Sequence, residues 1–215
     1  MRSRQWLGFV PYDILGHPYW LRVQQLPTTG LQGLWRRANL ALLQRMPRLS
    51  RRLYGIQPTI NPKGLGLAAS AYVELGQLTG EPTWRQRAEA CLDWLQRHPA
   101  PGCRGMGWGY PFDWYAVAVI PRGTPSGVVS ATVGQAFWQH YRWTQDANSR
   151  AMCEAIGTFF LHDLGYRRID AHRVCFRYTP MDEYYVHNAN LWVAAFLCEV
   201  GSSLEREEWC ALARQ

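Results

Sequence analysis

The stretch KGLGLAASAYVELGQLTGEPTWRQRAEACLDWL, residues 63–95, is the first of three copies of one pattern. Its second copy is VVSATVGQAFWQHYRWTQDANSRAMCEAIGTFF, residues 128–160, which aligns without a gap and places Ala136 opposite Ala71. A third copy, YVHNANLWVAAFLCEVGSSLEREEWCALA, begins at position 185. Self-similarity of this kind indicates a repeat architecture in which each copy is one supersecondary unit.

Each copy reads as a helix, a tight turn and a second helix. The first helix is apolar all round and contains small residues such as Ala69, which is typical of a buried helix that its neighbours approach closely. The second helix is amphipathic, with apolar residues three and four positions apart from Trp84 to Leu95. Gly80 and Pro82 mark the turn between them. The pattern predicts buried inner helices covered by amphipathic outer helices.

Such hairpins bury their faces only by stacking on one another, so we predict an all-α fold of the α/α-toroid type. Residues 31–55 are predicted to form the outer helix of an earlier hairpin, and residues 168–177 a small ribbon. A ring of six hairpins needs on the order of 340 residues at this period. We therefore expect residues 1–215 to form a single toroid domain that is incomplete at its C-terminus.

The long connections between hairpins, residues 56–63, 98–126 and 165–186, are predicted to meet at one end of the array. Two of them end in similar helix-start motifs, NPKG and TPSG. In these motifs Asn61 or Thr124 would cap an inner helix, and the proline would be its first residue. Free N–H groups at these helix starts favour anionic or hydroxyl-rich ligands. The connections also carry most of the unusual aromatic and polar residues.

Two segments supply the candidate site residues. GMGWGYPFDWYAV, residues 105–117, crowds aromatic rings around one carboxylate, and CFRYTPMDEYYVHNANL, residues 175–191, mixes acids, amides and aromatics. Flat rings beside carboxylates and amides suit sugars. The predicted catalytic residues are Asp113, Asp182 and His187. The predicted substrate-binding residues are Trp108, Tyr110, Trp114, Arg177, Tyr178, Asn188 and Asn190.

Alternative roles remain open for these residues. In a hydrolase, Asp113 and Asp182 would be the acid and the base or nucleophile. In a uronate lyase or epimerase, Asn188 or Asn190 would neutralise the substrate carboxylate, while His187 and a tyrosine, Tyr178 or Tyr184, would move the α-proton. Both aspartates can equally cap helices or accept hydrogen bonds from loop amides, and the aromatic rings can seal the array.

Charge is concentrated in the first 63 residues, which hold ten basic residues and one acid, Asp13, whereas the whole chain carries +7. This imbalance indicates an anionic partner, such as an acidic glycan, a lipid phosphate or a membrane surface, or else a solvated helix face. No nucleic-acid-binding motif accompanies the charge, so nucleic acid is not an expected partner.

The six cysteines form no Cys-x-x-Cys pair, so neither a zinc ribbon nor a disulfide framework is indicated, and no metal or cofactor is expected. No apolar run is long enough to span a bilayer, and the N-terminus lacks the apolar core of a signal peptide. We expect a cytoplasmic protein of unknown oligomeric state.

Four motifs, NPKGLGLAASAYVELGQLTGE, GWGYPFDW, GTPSGVVSATVGQAF and YTPMDEYYVHNANLWVAAFL, resemble an uncharacterised bacterial family found with polysaccharide-biosynthesis genes. The resemblance implies a six-hairpin, α/α-toroid fold like that of glycosidases and prenyltransferases. It also implies a carbohydrate-active protein whose partner is a bacterial polysaccharide or its precursor, either neutral or anionic. The alternatives are a non-catalytic glycan-binding or scaffold protein and a prenyl or terpenoid-type toroid enzyme.

Overall fold

The computed structural model describes residues 6–116, 118–184 and 186–215 and is mostly helical, at 62%. Within this part of the chain the helices are α1 (Pro18–Gln25), α2 (Gly30–Arg45), α3 (Pro47–Leu53), α4 (Pro62–Thr79), α5 (Pro82–Arg97), α6 (Gly127–Thr144), α7 (Ala147–Thr158), α8 (His187–Ser203) and α9 (Glu207–Ala213). The strands are β1 (Trp114–Tyr115), β2 (Val119–Ile120), β3 (Tyr166–Arg168) and β4 (Val174–Phe176). The contact pattern divides the chain into two compact units.

Unit 1, Pro62–Tyr110 with Gly123–Gln215, contains the three predicted hairpins. They are α4–α5, α6–α7 and α8–α9, and the central inner helix, α6, packs against both α4 and α8. The turn of the first hairpin is as expected, since α4 ends at Thr79, Gly80 has a positive φ of 69° and α5 begins at Pro82. The helical hairpin array is therefore confirmed.

Small residues set the spacing between the inner helices. A methyl group on Gly66 of α4 would lie 3.2 Å from the Cα of Val133 in α6. On the other side of α6, a methyl group on Gly134 would lie 2.5 Å from the ring of Phe196 in α8. Because neither position has room for a side chain, the glycines allow α4 and α8 to pack closely on α6.

The inner helices differ in how completely they are buried. Most side chains of α6 are buried, as its composition predicts. The apolar side chains of α4 and α8 are only partly covered, because Leu78 is 83% exposed and Leu191 is 65% exposed. The prediction of helices buried on all sides is thus confirmed for α6 and wrong for α4 and α8, which flank it.

Among the described residues, unit 2 comprises residues 6–61 and the segment Pro111–Arg122. It contains a short 3₁₀ turn (Asp13–Gly16), α1, α2, α3 and the antiparallel ribbon β1–β2. Its core is formed by Ile14, Trp20, Val23 and Leu43. The prediction of one continuous helix over residues 31–55 is wrong, because α2 ends before Met46 and α3 begins at Pro47. Proline lacks the N–H that would continue the helix and disfavours helical geometry in the residue before it.

The sheet content is limited to two-stranded antiparallel ribbons in the described residues. The predicted ribbon is the β3–β4 pair, in which Tyr166 is opposite Phe176. The β1–β2 ribbon was not predicted from the sequence. Among the helices that the structure describes, none has the length and apolar character that crossing a bilayer requires.

Candidate functional site

The connections before α6 and before α8 meet at the start of α6 in unit 1. The Gly127 N–H donates to the carbonyl of Tyr178 over 2.9 Å, and the Ser126 N–H donates to the carbonyl of Trp108 over 3.0 Å. The Ser126 hydroxyl caps α6 by accepting from the Val129 N–H. The prediction that Thr124 caps this helix is therefore wrong. The serine lies closer to the first turn and takes up one of its N–H groups, so this helix start is closed largely by the protein itself.

Trp108 is part of the core of unit 1. It is 1% exposed, and its indole N–H donates to the carbonyl of Leu95 over 3.0 Å. Its backbone N–H donates to the Ser130 hydroxyl, and its ring lies near Phe137 with a centroid distance of 6.4 Å. A ring enclosed in this way holds the connection against α5 and α6. Its predicted role in substrate binding is not supported by this placement.

Asp182 is buried, and its carboxylate is surrounded by donors from its own loop. Oδ2 accepts from the Thr179 N–H over 2.8 Å and from the Thr179 hydroxyl over 2.6 Å. Oδ1 accepts from the backbone N–H groups of Tyr178 and Tyr184 over longer distances of 3.3 and 3.4 Å. Only the Tyr184 bond has the two-residue spacing of an Asx turn. The other bonds reach back three and four residues, so the carboxylate organises the loop backbone on both sides.

Tyr178 and Tyr110 lie together beside Asp182. Burial raises the pKa of the Tyr178 hydroxyl. Two neighbours raise this pKa further: Tyr110, which shares a side-chain hydrogen bond with Tyr178, and the Asp182 carboxylate. The phenol is therefore held in its neutral form, which makes Tyr178 a poor general base at neutral pH.

The remaining candidates of unit 1 lie at the start of α8 and just before it. His187 and Asn188 are exposed at the first positions of the helix. The Asn190 side chain accepts from the Phe176 N–H over 2.9 Å and so ties α8 to β4. Arg177 forms an ion pair with Glu183 at 3.6 Å. Asn190 thus has a clear structural bond, whereas His187 and Asn188 are accessible to a ligand.

Asp113 belongs to unit 2, immediately before β1. Its Oδ1 accepts from the Arg122 N–H over 2.6 Å, which closes the loop that carries the β1–β2 ribbon. Gly16 packs directly on the Asp113 backbone, and a methyl group there would overlap the Asp113 carbonyl oxygen. Trp114, the next residue, is half-buried in β1. Two separate contacts therefore fix the position of Asp113.

A pocket of about 300 Å³ in unit 2 contains Asp113 at its wall. We call it the Asp113 pocket; its lining residues are Asp13, Gly16, His17, Gly55, Ile56, Gln57, Thr59, Pro111, Phe112, Asp113 and Arg122. It combines carboxylates, an imidazole, an amide, a hydroxyl, a guanidinium and one aromatic ring. Such a mixture can hold a small polyhydroxylated ligand, with polar groups fixing its orientation.

The second carboxylate of the Asp113 pocket, Asp13, is held in an ion pair. Arg51 Nε lies 3.0 Å from Asp13 Oδ1, and the Val10 N–H donates to Oδ2 over 3.0 Å. Asp13 is 7% exposed, so the guanidinium supplies the partner that a buried carboxylate needs. One carboxylate of the pocket is therefore already paired with a cation.

Sequence reasoning missed the contribution of residues 13–59 to this pocket. His17, Gln57 and Thr59 lie outside the repeat, so no copy-to-copy comparison could identify them. One signal was present, since Asp13 is the single acid in a strongly basic segment. Asp113 and Asp182 lie in different units, and their predicted pairing in one cleft stays a prediction.

The six cysteines are free thiols. Burial raises the pKa of Cys91 and that of Cys153 to about 12, and it also raises the pKa of Cys175. Since the thiolate is the reactive form, these side chains act as small apolar core residues. Within the described ranges, no three His, Cys, Asp or Glu residues are grouped so that they could hold a metal ion.

No protein-family model, curated protein or solved structure matches the chain. The residues and geometry of the chain itself are therefore the basis for a functional assignment.

Proposed function

We propose that the protein binds a poly- or oligosaccharide, neutral or anionic, in the Asp113 pocket. The observation that carries the proposal is the composition of that pocket. Phe112 contributes an aromatic ring to its wall, and Asp113, His17 and Gln57 contribute hydrogen-bonding groups within about 300 Å³. Sugars are bound in this way, with a C–H face against a ring and hydroxyls on polar side chains.

Binding without catalysis is supported by the hydrogen bonds that already occupy Asp182, one of the two predicted catalytic carboxylates. The Asp182 carboxylate already accepts four hydrogen bonds from its own loop, two of them at 2.8 Å or less. A general acid or nucleophile needs a free oxygen directed at the substrate. The lyase or epimerase alternative is weakened by the neutral, partly buried Tyr178.

The proposed biological setting is the metabolism of a bacterial polysaccharide or its precursor, and this part rests on the resemblance of the sequence motifs. We also propose that the three hairpins are an arc of an α/α toroid. The support is the order of the inner helices, with α6 between α4 and α8 and an outer helix on each. The proposed compartment is the cytoplasm, which the free thiols favour.

A second candidate function is hydrolysis at the same pocket. The observation that favours it is that two carboxylates, Asp13 and Asp113, line one cavity. Glycoside hydrolysis uses such a pair, one as acid and the other as base or nucleophile. In this version Asp13 would be the base or nucleophile and Asp113 the acid, which requires Asp13 to exchange a hydrogen bond from Arg51 or from the Val10 N–H for the substrate.

The test is glycan binding by Asp113→Ala and Phe112→Ala, measured on a panel of neutral and uronate-containing oligosaccharides by array and then by calorimetry. We expect the loss of a charge-assisted hydrogen bond in Asp113→Ala to weaken binding about tenfold or more. Asp170→Ala is the matched control, because Asp170 also accepts a backbone hydrogen bond in a ribbon turn, from the His172 N–H at 2.9 Å.

Unchanged binding in both pocket variants would place the glycan elsewhere and refute the proposal. Release of reducing ends by the wild type, abolished in Asp113→Asn and in Asp13→Asn, would establish the hydrolase in place of the binding protein.

A further inference from the structure

Helix α2 presents an apolar stripe to solvent. Its large apolar side chains are far from buried, with Leu31 at 86%, Leu34 at 61%, Trp35 at 58% and Leu42 at 56% exposure. The stripe consists of Leu31, Leu34, Trp35, Ala38 and Leu42, which recur three and four positions apart and so lie on one face of the helix. The core of unit 2 uses the other face, where Gly33 and Leu43 are buried. We name this exposed face the α2 stripe.

Helix α3 also exposes large apolar side chains to solvent. Leu53 is 74% exposed and Leu49 is 47% exposed, at the i and i+4 positions of one face. A solvated helix face would be mainly polar. Apolar side chains exposed on two consecutive helices instead indicate an interaction surface.

The same two helices are rich in arginine and contain no acid. Their arginines are Arg36, Arg37, Arg45, Arg48, Arg51 and Arg52. Only Arg51 is neutralised, by Asp13, and the chain has no other acid before Glu74. Arg36 and Arg37 donate to the backbone carbonyls of Leu26 and Thr28, which leaves their charge in place.

Two of the arginines also line a concave surface. Arg48 and Arg52 border a pocket of about 300 Å³ together with the Phe9 ring. Arginine matches the geometry of a phosphate group and binds it with paired N–H donors. The pocket can therefore take a phosphate beside the apolar side chains.

We propose that α2 and α3 bind the surface of an anionic phospholipid bilayer. The α2 stripe enters the acyl boundary, and Arg45, Arg48 and Arg52 contact lipid phosphates, as in interfacial amphipathic helices. Nucleic acid would use the arginines and leave the leucines and Trp35 in water. An acidic soluble glycan would likewise leave the stripe uncovered. An anionic membrane surface satisfies both the charge and the apolar area.

The experiment is vesicle flotation of the full chain. One set of vesicles contains phosphatidylcholine alone, and the other contains about one third phosphatidylglycerol. We expect binding only to the anionic vesicles, weakened as salt is raised from about 0.1 to 0.5 M. Each arginine near an anionic surface contributes about fivefold in affinity. The variant Arg45→Gln/Arg48→Gln/Arg52→Gln is therefore expected to bind about a hundredfold more weakly.

Matched variants separate this surface from general charge and hydrophobicity. Leu31→Ser/Leu34→Ser/Trp35→Ser should abolish flotation, whereas Leu67→Ser/Leu78→Ser/Leu191→Ser, which changes three exposed leucines of unit 1, should not. The charge control is Arg104→Gln/Arg167→Gln/Arg214→Gln, three exposed arginines of unit 1. Circular dichroism checks that each variant keeps its helices, which surface changes of this kind leave intact.

Three results would overturn the proposal. The first is a wild type that does not float with anionic vesicles, and the second is binding that the α2 and α3 variants leave unchanged. The third is a dimer in light scattering that the leucine and tryptophan variant converts to a monomer, without any vesicle binding, because the stripe would then be covered by a second copy of the chain. None of these variants touches the Asp113 pocket, so the glycan proposal stands or falls separately.

Discussion

Replacing Asp182 with alanine should destabilise the protein by removing the acceptor that organises the loop before α8. The carboxylate accepts two short hydrogen bonds from Thr179, at 2.8 and 2.6 Å, and two longer ones from backbone N–H groups. A hydrogen bond to a charged group is worth about 1.5–3 kcal/mol, and orphaned buried donors carry the desolvation cost. Counting the two short bonds and some relaxation of the loop, we expect a loss of about 3 kcal/mol.

The assay is urea unfolding followed by circular dichroism, with thermal unfolding beside it. A loss of this size corresponds to a fall in Tm of about 6–12 °C for a unit of this length. Hydrogen exchange should show the amide of Thr179 losing its protection. Asp182→Asn keeps one carbonyl acceptor and should lose about half as much stability.

Glu183→Ala is the control for Asp182→Ala. The Glu183 side chain is 73% exposed and its ion pair with Arg177 spans 3.6 Å, so its removal should cost less than about 1 kcal/mol. Asp182→Ala with wild-type stability and wild-type protection of Thr179 would refute the structural role. If that variant also lost glycan binding, Asp182 would be a functional carboxylate, as the sequence first suggested.

Two other predictions concern burial in unit 1. Burial lowers the pKa of His140, although Asp146 and Glu89 oppose the shift, so the unfolded chain binds the proton more readily than the folded one. The free energy of unfolding should therefore fall as pH drops below about 6.5. Urea midpoints measured between pH 8 and 5 should show this fall, and His140→Gln should show a smaller one. Gly134→Ala should lose about 1–3 kcal/mol because the methyl group meets the buried Phe196 ring, and a stabilised variant in urea unfolding would contradict the close packing of α6 on α8.

The hairpins could be read from the chain because their signals are local. Apolar periodicity, small residues on the inner helices and the Gly80–Pro82 turn each act over a few residues, and the same pattern occurs three times. The burial of α5 through Ala88, Cys91, Leu92 and Leu95 follows directly from their spacing. Pro47 is a local signal too, because proline interrupts helical hydrogen bonding, and it accounts for the break between α2 and α3.

The candidate site depended on contacts between distant segments. Whether Trp108 faces a ligand or the core is settled by Ser130 and Leu95, and its sequence neighbours could not indicate which. The Asp113 pocket joins residues about a hundred positions apart in the chain, and no period relates them.

By itself, therefore, the sequence determined the three helical hairpins of unit 1 and the uneven charge, since each depends on residue type and short spacing. The tertiary structure alone decided which carboxylate is enclosed by its own loop, as Asp182 is, and which one borders a cavity, as Asp113 does. It also decided that the α2 stripe faces outward, because a helix with apolar residues on two faces buries only the one that finds a neighbour. The residue pattern shows which side chains are apolar, and only the packing of the chain decides which of them are covered.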